Sequence, residues 1–135
     1  MTGGRGSPAE VVCALLAAIA EGRTADVLAL ADPQVVCITG TRPALTRYDG
    51  QAGMIRLVDD LRAVYGRYRV EATPVAISDG PDEGGPGAAA AGTRVVVRMS
   101  GVRETDGGEV ALPSALLEAT VRGGLVTFME TTPEN

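Results

Sequence analysis

Ala20-Glu21-Gly22-Arg23-Thr24-Ala25-Asp26-Val27-Leu28-Ala29-Leu30-Ala31-Asp32-Pro33 is the stretch on which the reading of this chain turns. Gly22 supplies a helix stop, and Thr24 is placed to cap a short second helix carrying Val27, Leu28 and Leu30. Asp32-Pro33 ends that helix, because proline cannot continue it and pushes the preceding residue toward extended backbone. Val35-Val36-Cys37-Ile38-Thr39 then reads as a short strand from its β-branched content.

Upstream, Ser7-Pro8-Ala9-Glu10 is a capping box with proline in the first turn. Val12, Leu15, Leu16 and Ile19 follow at helical spacing. Downstream, Gly40 and Pro43 predict a loop that runs to Tyr48-Asp49-Gly50. A third helix is expected from Gln51 to Tyr65, with Met54, Leu57, Val58, Leu61 and Tyr65 as its apolar stripe. Arg56, Asp59, Asp60 and Arg62 cover its solvated face. After Gly66 the period changes to two. Strands are predicted over Tyr68–Ser78, Thr93–Glu104, Val110–Arg122 and Leu125–Thr131, divided by Asp79-Gly80, Asp106-Gly107-Gly108 and Gly123-Gly124. Pro74, Gly101 and Pro113 inside these runs mark bends or bulges. Residues 80–92 (GPDEGGPGAAAAG) have nothing to bury and read as a mobile loop, and residues 1–6 as a disordered tail. The expectation is one α+β domain over residues 1–135, a curved antiparallel sheet wrapped around three N-terminal helices.

Composition narrows the chemistry. With 135 residues the chain makes one core, and 45% apolar against 21% charged residues excludes general disorder. No apolar run reaches the ~18 residues of a membrane span, and the N-terminus has no charged-then-apolar leader, so a cytoplasmic protein without membrane contact is expected. The 12 basic residues, all Arg, face 17 acidic ones, and a net charge of −5 argues against nucleic acid. There is no His and no Trp. Histidine-based dyads, acid–base relays and metal sites are therefore excluded. Cys13 and Cys37 are too few for a zinc site, and their apolar neighbours suggest buried thiols in a reducing compartment. Neither a metal nor any other cofactor is expected. Any catalysis must use carboxylates, Tyr, Arg, Ser/Thr or a shaped apolar cavity.

The element order, the Ala20–Pro33 stretch, Tyr48-Asp49-Gly50 before the third helix and Gly123-Gly124 before the last strand resemble the SnoaL-like branch of the nuclear transport factor 2-like superfamily. The resemblance covers Ser7 to Thr132. It implies a cone-shaped pocket between helices and sheet, a lipophilic small-molecule substrate and a homodimer. Members include ketosteroid isomerases, polyketide cyclases, limonene epoxide hydrolases and some pericyclases. Counting back from Gly124, the Arg-x-Asp of the epoxide hydrolases falls on Arg98 and Ser100, and their last-strand Asp falls on Thr131. The general base of the ketosteroid isomerases falls on or near Ile38, and their oxyanion-hole acid near Ala115 to Leu117. The cyclases' His has no counterpart. The usual carboxylates are missing.

Arg98 is the sharpest candidate that remains. If Arg98 and Ser100 face inward, Arg94 and Val96 share their face, opposite Val95, Val97 and Met99, and a hairpin through Asp106-Gly107 sets Arg98 against Ala115. A guanidinium there binds a carboxylate or polarises a carbonyl. The competing reading puts Arg98 on the other face, paired with Glu118 or Glu71. Glu118 is a general base only if the register slips by one, and otherwise a salt-bridge partner. Tyr48 is either a hydrogen-bond donor at the pocket rim or an amphipathic residue with a wet hydroxyl. Tyr65 and Tyr68 bracket the helix exit as core and surface residues. With Arg98 and Tyr48 touching the reacting oxygens, the substrate-binding wall is expected from Leu16, Ile38, Met54, Val58, Leu61, Tyr65, Val96, Ser100, Ala115 and Leu117. A second copy is expected on the outer sheet face, at Val95, Val97 and Met99. Two functions follow. One is an enzyme of specialised metabolism, of cyclase or isomerase type, that folds a polyketide or terpenoid intermediate. The other is a non-catalytic ligand-binding or dimerisation domain.

Overall fold

The computed structural model describes residues 7–41, 44–79 and 92–133. Expectations for residues 1–6 and 80–91 fall outside them. The first helix, α1 (Pro8–Glu21), begins as its capping box dictates: Ser7 Oγ accepts from the Glu10 amide (3.2 Å), and the Ser7 amide donates to Glu10 Oε1 (2.9 Å). Gly22 ends it at φ 72°, where its amide returns to Ala18 and Ile19. A side chain there would also run into the Arg62 guanidinium, 2.7 Å from a Cβ. The second helix, α2 (Thr24–Leu30), departs from expectation at its start. Arg23, not Thr24, is the N-cap, and no side chain caps it. Arg23 instead pairs with Glu21 at 2.7 Å and with Asp26 in the first turn.

Strand β1 (Ala31–Thr41) is longer than its β-branched centre predicts, and the expected loop before Tyr48 contains a strand, β2 (Ala44–Asp49). The two form a hairpin whose register runs from Val36↔Asp49 to Thr41↔Ala44. Tyr48 then leads into α3 (Gly50–Tyr65), which buries Met54, Leu57 and Val58. The remaining strands are β3 (Tyr68–Asp79), β4 (Thr93–Thr105), β5 (Gly108–Arg122) and β6 (Leu125–Pro133).

All six strands make one open sheet in the order β2-β1-β6-β5-β4-β3. Every neighbouring pair is antiparallel except β1 and β6, which are parallel. The sheet is therefore mixed, because β6 returns to lie between the first and fifth strands. The helices lie over one face. Val12, Leu15, Leu16 and Ile19 of α1 share a single core with Val95, Val97, Leu117, Ala119, Val126 and Met129 of the sheet. Burying each of these Val, Leu, Ile and Met side chains contributes about 1.5–3 kcal/mol.

Two irregularities sit where proline and glycine fall. The β3–β4 register shifts between Pro74 and Ala76. The β4–β5 register shifts at Gly101, where Met99 pairs with Ala115 but Gly101 pairs with Leu112. Ser100 alone thus opposes both Pro113 and Ser114, which is a bulge on β5. Gly101 is required there, since a Cβ would lie 2.4 Å from the Arg69 carbonyl oxygen. The bulge also moves Arg98 opposite Leu116 rather than Ala115.

Candidate functional site

A cavity of about 390 Å³ opens between the helices and the bent sheet. Its floor comes from α1 (Leu16, Ile19) and α3 (Leu57, Leu61, Tyr65), and its walls from β1, β3, β4, β5 and β6. The position follows from the local irregularity. At Gly101, Pro113 and Ala115 short side chains and the β5 bulge leave space that large residues fill deeper in the core. Polar atoms are few. The polar side chains among its lining residues are Thr39, Ser114, Thr131, Cys37, Tyr65 and Tyr68, the last with its hydroxyl turned out of reach of the open space. Among the described residues, no charged side chain lines it.

Two of the polar groups are perturbed by their surroundings. Burial pushes the Cys37 thiol up to about 12, so it stays protonated and inert at neutral pH. Tyr68, 6% exposed, is also pushed up to about 12, chiefly by burial, with Arg62 pulling the other way. Its hydroxyl is sealed from solvent and has no hydrogen-bond partner among the described residues. An unsatisfied buried hydroxyl costs about 1–3 kcal/mol. The Tyr65 ring lies 5.6 Å away, tilted by 56°.

Of the residues expected at the wall, the structure brings together Leu16, Leu61, Tyr65, Ala115 and Leu117. Arg98 is corrected. Odd-numbered residues of β4 face the helices, with Val95 and Val97 at 0% exposure, so Arg98 and Ser100 are exposed on the opposite face. The physical reason is desolvation: the inward alternative would bury two guanidinium groups, Arg94 and Arg98, and expel two valines. The expected dimer contacts change with it, since Val95 and Val97 are core and Met99 lines the cavity. Val96 and Ile38 are half-buried on the outer face, opposite Glu118 and Glu130. Glu118 pairs with Arg94 on that face and is no general base for the cavity. Met54 and Val58 are buried in the core rather than at the wall.

Tyr48 is the second correction. It is buried, but away from the wall, and its hydroxyl donates to Asp60 Oδ2 at 2.7 Å. The Arg56 guanidinium covers its ring at 5.1 Å. Asp60 is thus the anchor of Tyr48 as well as part of a solvated face. Thr39, Tyr68, Val70, Met99 and Thr131 were not anticipated at the cavity. Alternation would have found them: Thr39 follows buried Cys37 by two, and Tyr68 shares a side of β3 with Val70 and Ala72.

No family model matches the chain, and no curated protein matches it in sequence. Solved structures do match it over nearly its whole length. ActVI-ORFA from Streptomyces coelicolor superposes with a TM-score of 0.71 at 15% identity, covering 93% of each chain. A Catenulispora acidiphila protein in complex with S-DNPA gives 0.72 at 15% identity, over 93% of this chain and 89% of that one. TerC, co-crystallised with polyporic acid, gives 0.66 at 19% identity, over 93% and 90%. The fold is the α+β cone of the nuclear transport factor 2-like type. The nuclear transport factor 2-like cone accounts for the parallel β1–β6 step and for a cavity between helices and sheet in one architecture. No group of His, Cys, Asp or Glu among the described residues is placed to hold a metal in it, and no helix among them is long and apolar enough to cross a membrane.

Proposed function

We propose that the cavity takes up a lipophilic small molecule and holds it in one folded conformation, as an enzyme of cyclase or isomerase type in specialised metabolism. The observation that carries this reading is a space of about 390 Å³ whose described wall is apolar and uncharged, with a few hydroxyls. That size is within the ~300–1,000 Å³ of small-molecule sites. A site with no carboxylate among its described residues is suited to reactions limited by conformation, pericyclic steps included, in which confinement supplies much of the acceleration. Two proteins of the same fold were crystallised with small organic ligands, which supports the ligand class. Two free thiols, Cys13 and Cys37, suit a reducing compartment, and the reading places the protein in the cytoplasm.

A second copy is part of the same reading. Val36, Ile38, Val96, Leu116 and Phe128 are half-buried on the outer sheet face, an apolar strip between charged residues that a partner subunit would cover.

A specific observation favours the non-catalytic alternative. Cys37 and Tyr68, both raised to about 12, are poor bases at neutral pH, so the site offers binding without an obvious proton acceptor. Native mass spectrometry of the protein purified from its producing cells tests both readings and gives the oligomeric state. We expect a dimer that releases a hydrophobic compound on denaturation. Conversion of that compound, or of its precursor, by fresh protein supports the enzyme. Stoichiometric retention without conversion supports the binding domain, and an empty monomer overturns the proposal.

A further inference from the structure

We infer that Arg103 holds the anionic end of the ligand at the rim of the cavity. The ligand is then a lipophilic carboxylic acid whose apolar body lies inside. The inference rests on the reading of the cavity as a small-molecule site, and adds the charge of its ligand. On β4, Met99 and Gly101 line the cavity, and Arg103 follows at the same period on the same face. It is opposite Tyr68 on β3 and Val110 on β5, one row beyond the lining pair Gly101 and Leu112. Val110 is 49% exposed, so this row lies at the rim and not in the core. Arg103 is half-buried, yet it makes no ion pair or hydrogen bond among the described residues.

The acids of this hairpin are turned away from Arg103. Glu104 and Glu109 oppose each other on the outer side of the sheet, where Glu109 accepts from Arg69 at 2.7 Å. The sheet neighbours of Arg103 on the inner side, Tyr68, Val110, Gly101 and Leu112, carry no carboxylate. Arg62, at the same corner, donates instead to the Ala20 carbonyl at 3.5 Å. A half-buried guanidinium has given up part of its water, and an anion that arrives with the ligand restores the lost bonds. Its planar fork matches a carboxylate in two parallel hydrogen bonds. One cation balances one negative charge, so a phosphate dianion is matched less well. The apolar wall sets the orientation, because a carboxylate loses too much hydration inside it: body inward, acid outward.

Three probes with one naphthyl body test this by titration calorimetry: 4-(2-naphthyl)butanoate, its methyl ester and 4-(2-naphthyl)butylammonium. With no cation at the rim the ester binds tightest, because it is the least hydrated. We expect the butanoate to bind roughly tenfold tighter than the ester, and the ammonium compound weakest. Added salt should narrow the gap between butanoate and ester. Arg103→Gln should bring the butanoate down to the ester or below it, and leave the ester unchanged. An ester that binds as tightly as the butanoate, a preference that survives Arg103→Gln, or tightest binding of the ammonium compound overturns the inference while the cavity stands. Failure of all three probes to bind brings down the cavity reading with it.

Discussion

Tyr48 and Tyr68 are equally buried, each 6% exposed, and each phenol is pushed up to about 12 with burial as the main cause. Their fates differ in one bond. At the β2–α3 corner, Asp60 accepts from Tyr48 and Arg56 covers the ring. At the α3–β3 corner, Tyr68 lies against Tyr65 and beside open space, and its hydroxyl has no partner among the described residues. The first corner is finished by the chain itself. The second encloses a hydroxyl that the described residues leave unsatisfied. Burial and a perturbed pKa alone therefore do not separate a tyrosine with a satisfied hydroxyl from one without; the hydrogen-bond inventory does.

The largest expected effect is at the finished corner. Tyr48→Ala removes a buried ring that joins β2 to α3, beside a helix backbone brought so close at Gly53 that a Cβ there would sit 2.9 Å from the Tyr48 carbonyl carbon. A loss of about 3–5 kcal/mol in urea unfolding is expected. A loss under ~1 kcal/mol would mean that the corner is not held by this residue.

Removing only the hydroxyls gives the sharpest contrast. Tyr48→Phe should cost about 1 kcal/mol, because it breaks a hydrogen bond to Asp60. Tyr68→Phe should cost nothing or stabilise slightly, since an unsatisfied polar atom leaves the interior. Equal losses in the two variants would erase the distinction between the corners.

The last contrast is in alkali. Raising the two phenols from 10.0 to about 12 means that the folded chain keeps protons which the unfolded chain releases over that window. Stability is thus fully present below pH 10 and falls as pH rises toward 12. Cys37, raised from 9.0 to about 12, starts the decline one pH unit earlier. Denaturant midpoints across pH 8 to 12 should show this, and a Tyr48→Phe/Tyr68→Phe double variant should flatten the part above pH 10. An unaltered slope in the double variant would assign the decline to other groups.

Much of this fold could be read from the sequence because its determinants are local. The Ser7–Glu10 capping box, the Gly22 stop and the breaks at Pro74, Gly101 and Pro113 each act over a few residues, and all are where the sequence puts them. The site was less legible, for non-local reasons. The alternation of β4 favours Val95, Val97 and Met99 inside, and only the gapless comparison with epoxide hydrolases drew Arg98 inward. The bulge at Pro113 then offsets the pairing by one residue, which no strand pattern read alone can show. Strand β2 was lost in a loop because its short run Ala44–Asp49 becomes a strand only through pairing with β1. Tyr68 was passed over because a missing hydrogen bond is a property of the packed chain.

The placement of β6 has a consequence for synthesis. This strand sits between β1 and β5, so the sheet has a gap at its middle until residues 125–133 have been made. At ~5–20 residues per second, the β1–β2 hairpin waits on the order of seconds with one edge open. During that time α1, α2 and α3 are the only complete cover for its apolar side. The nascent chain is thus most adhesive just before its last strand emerges, and a trigger-type chaperone that shields β1 would raise its yield more than one that acts after release.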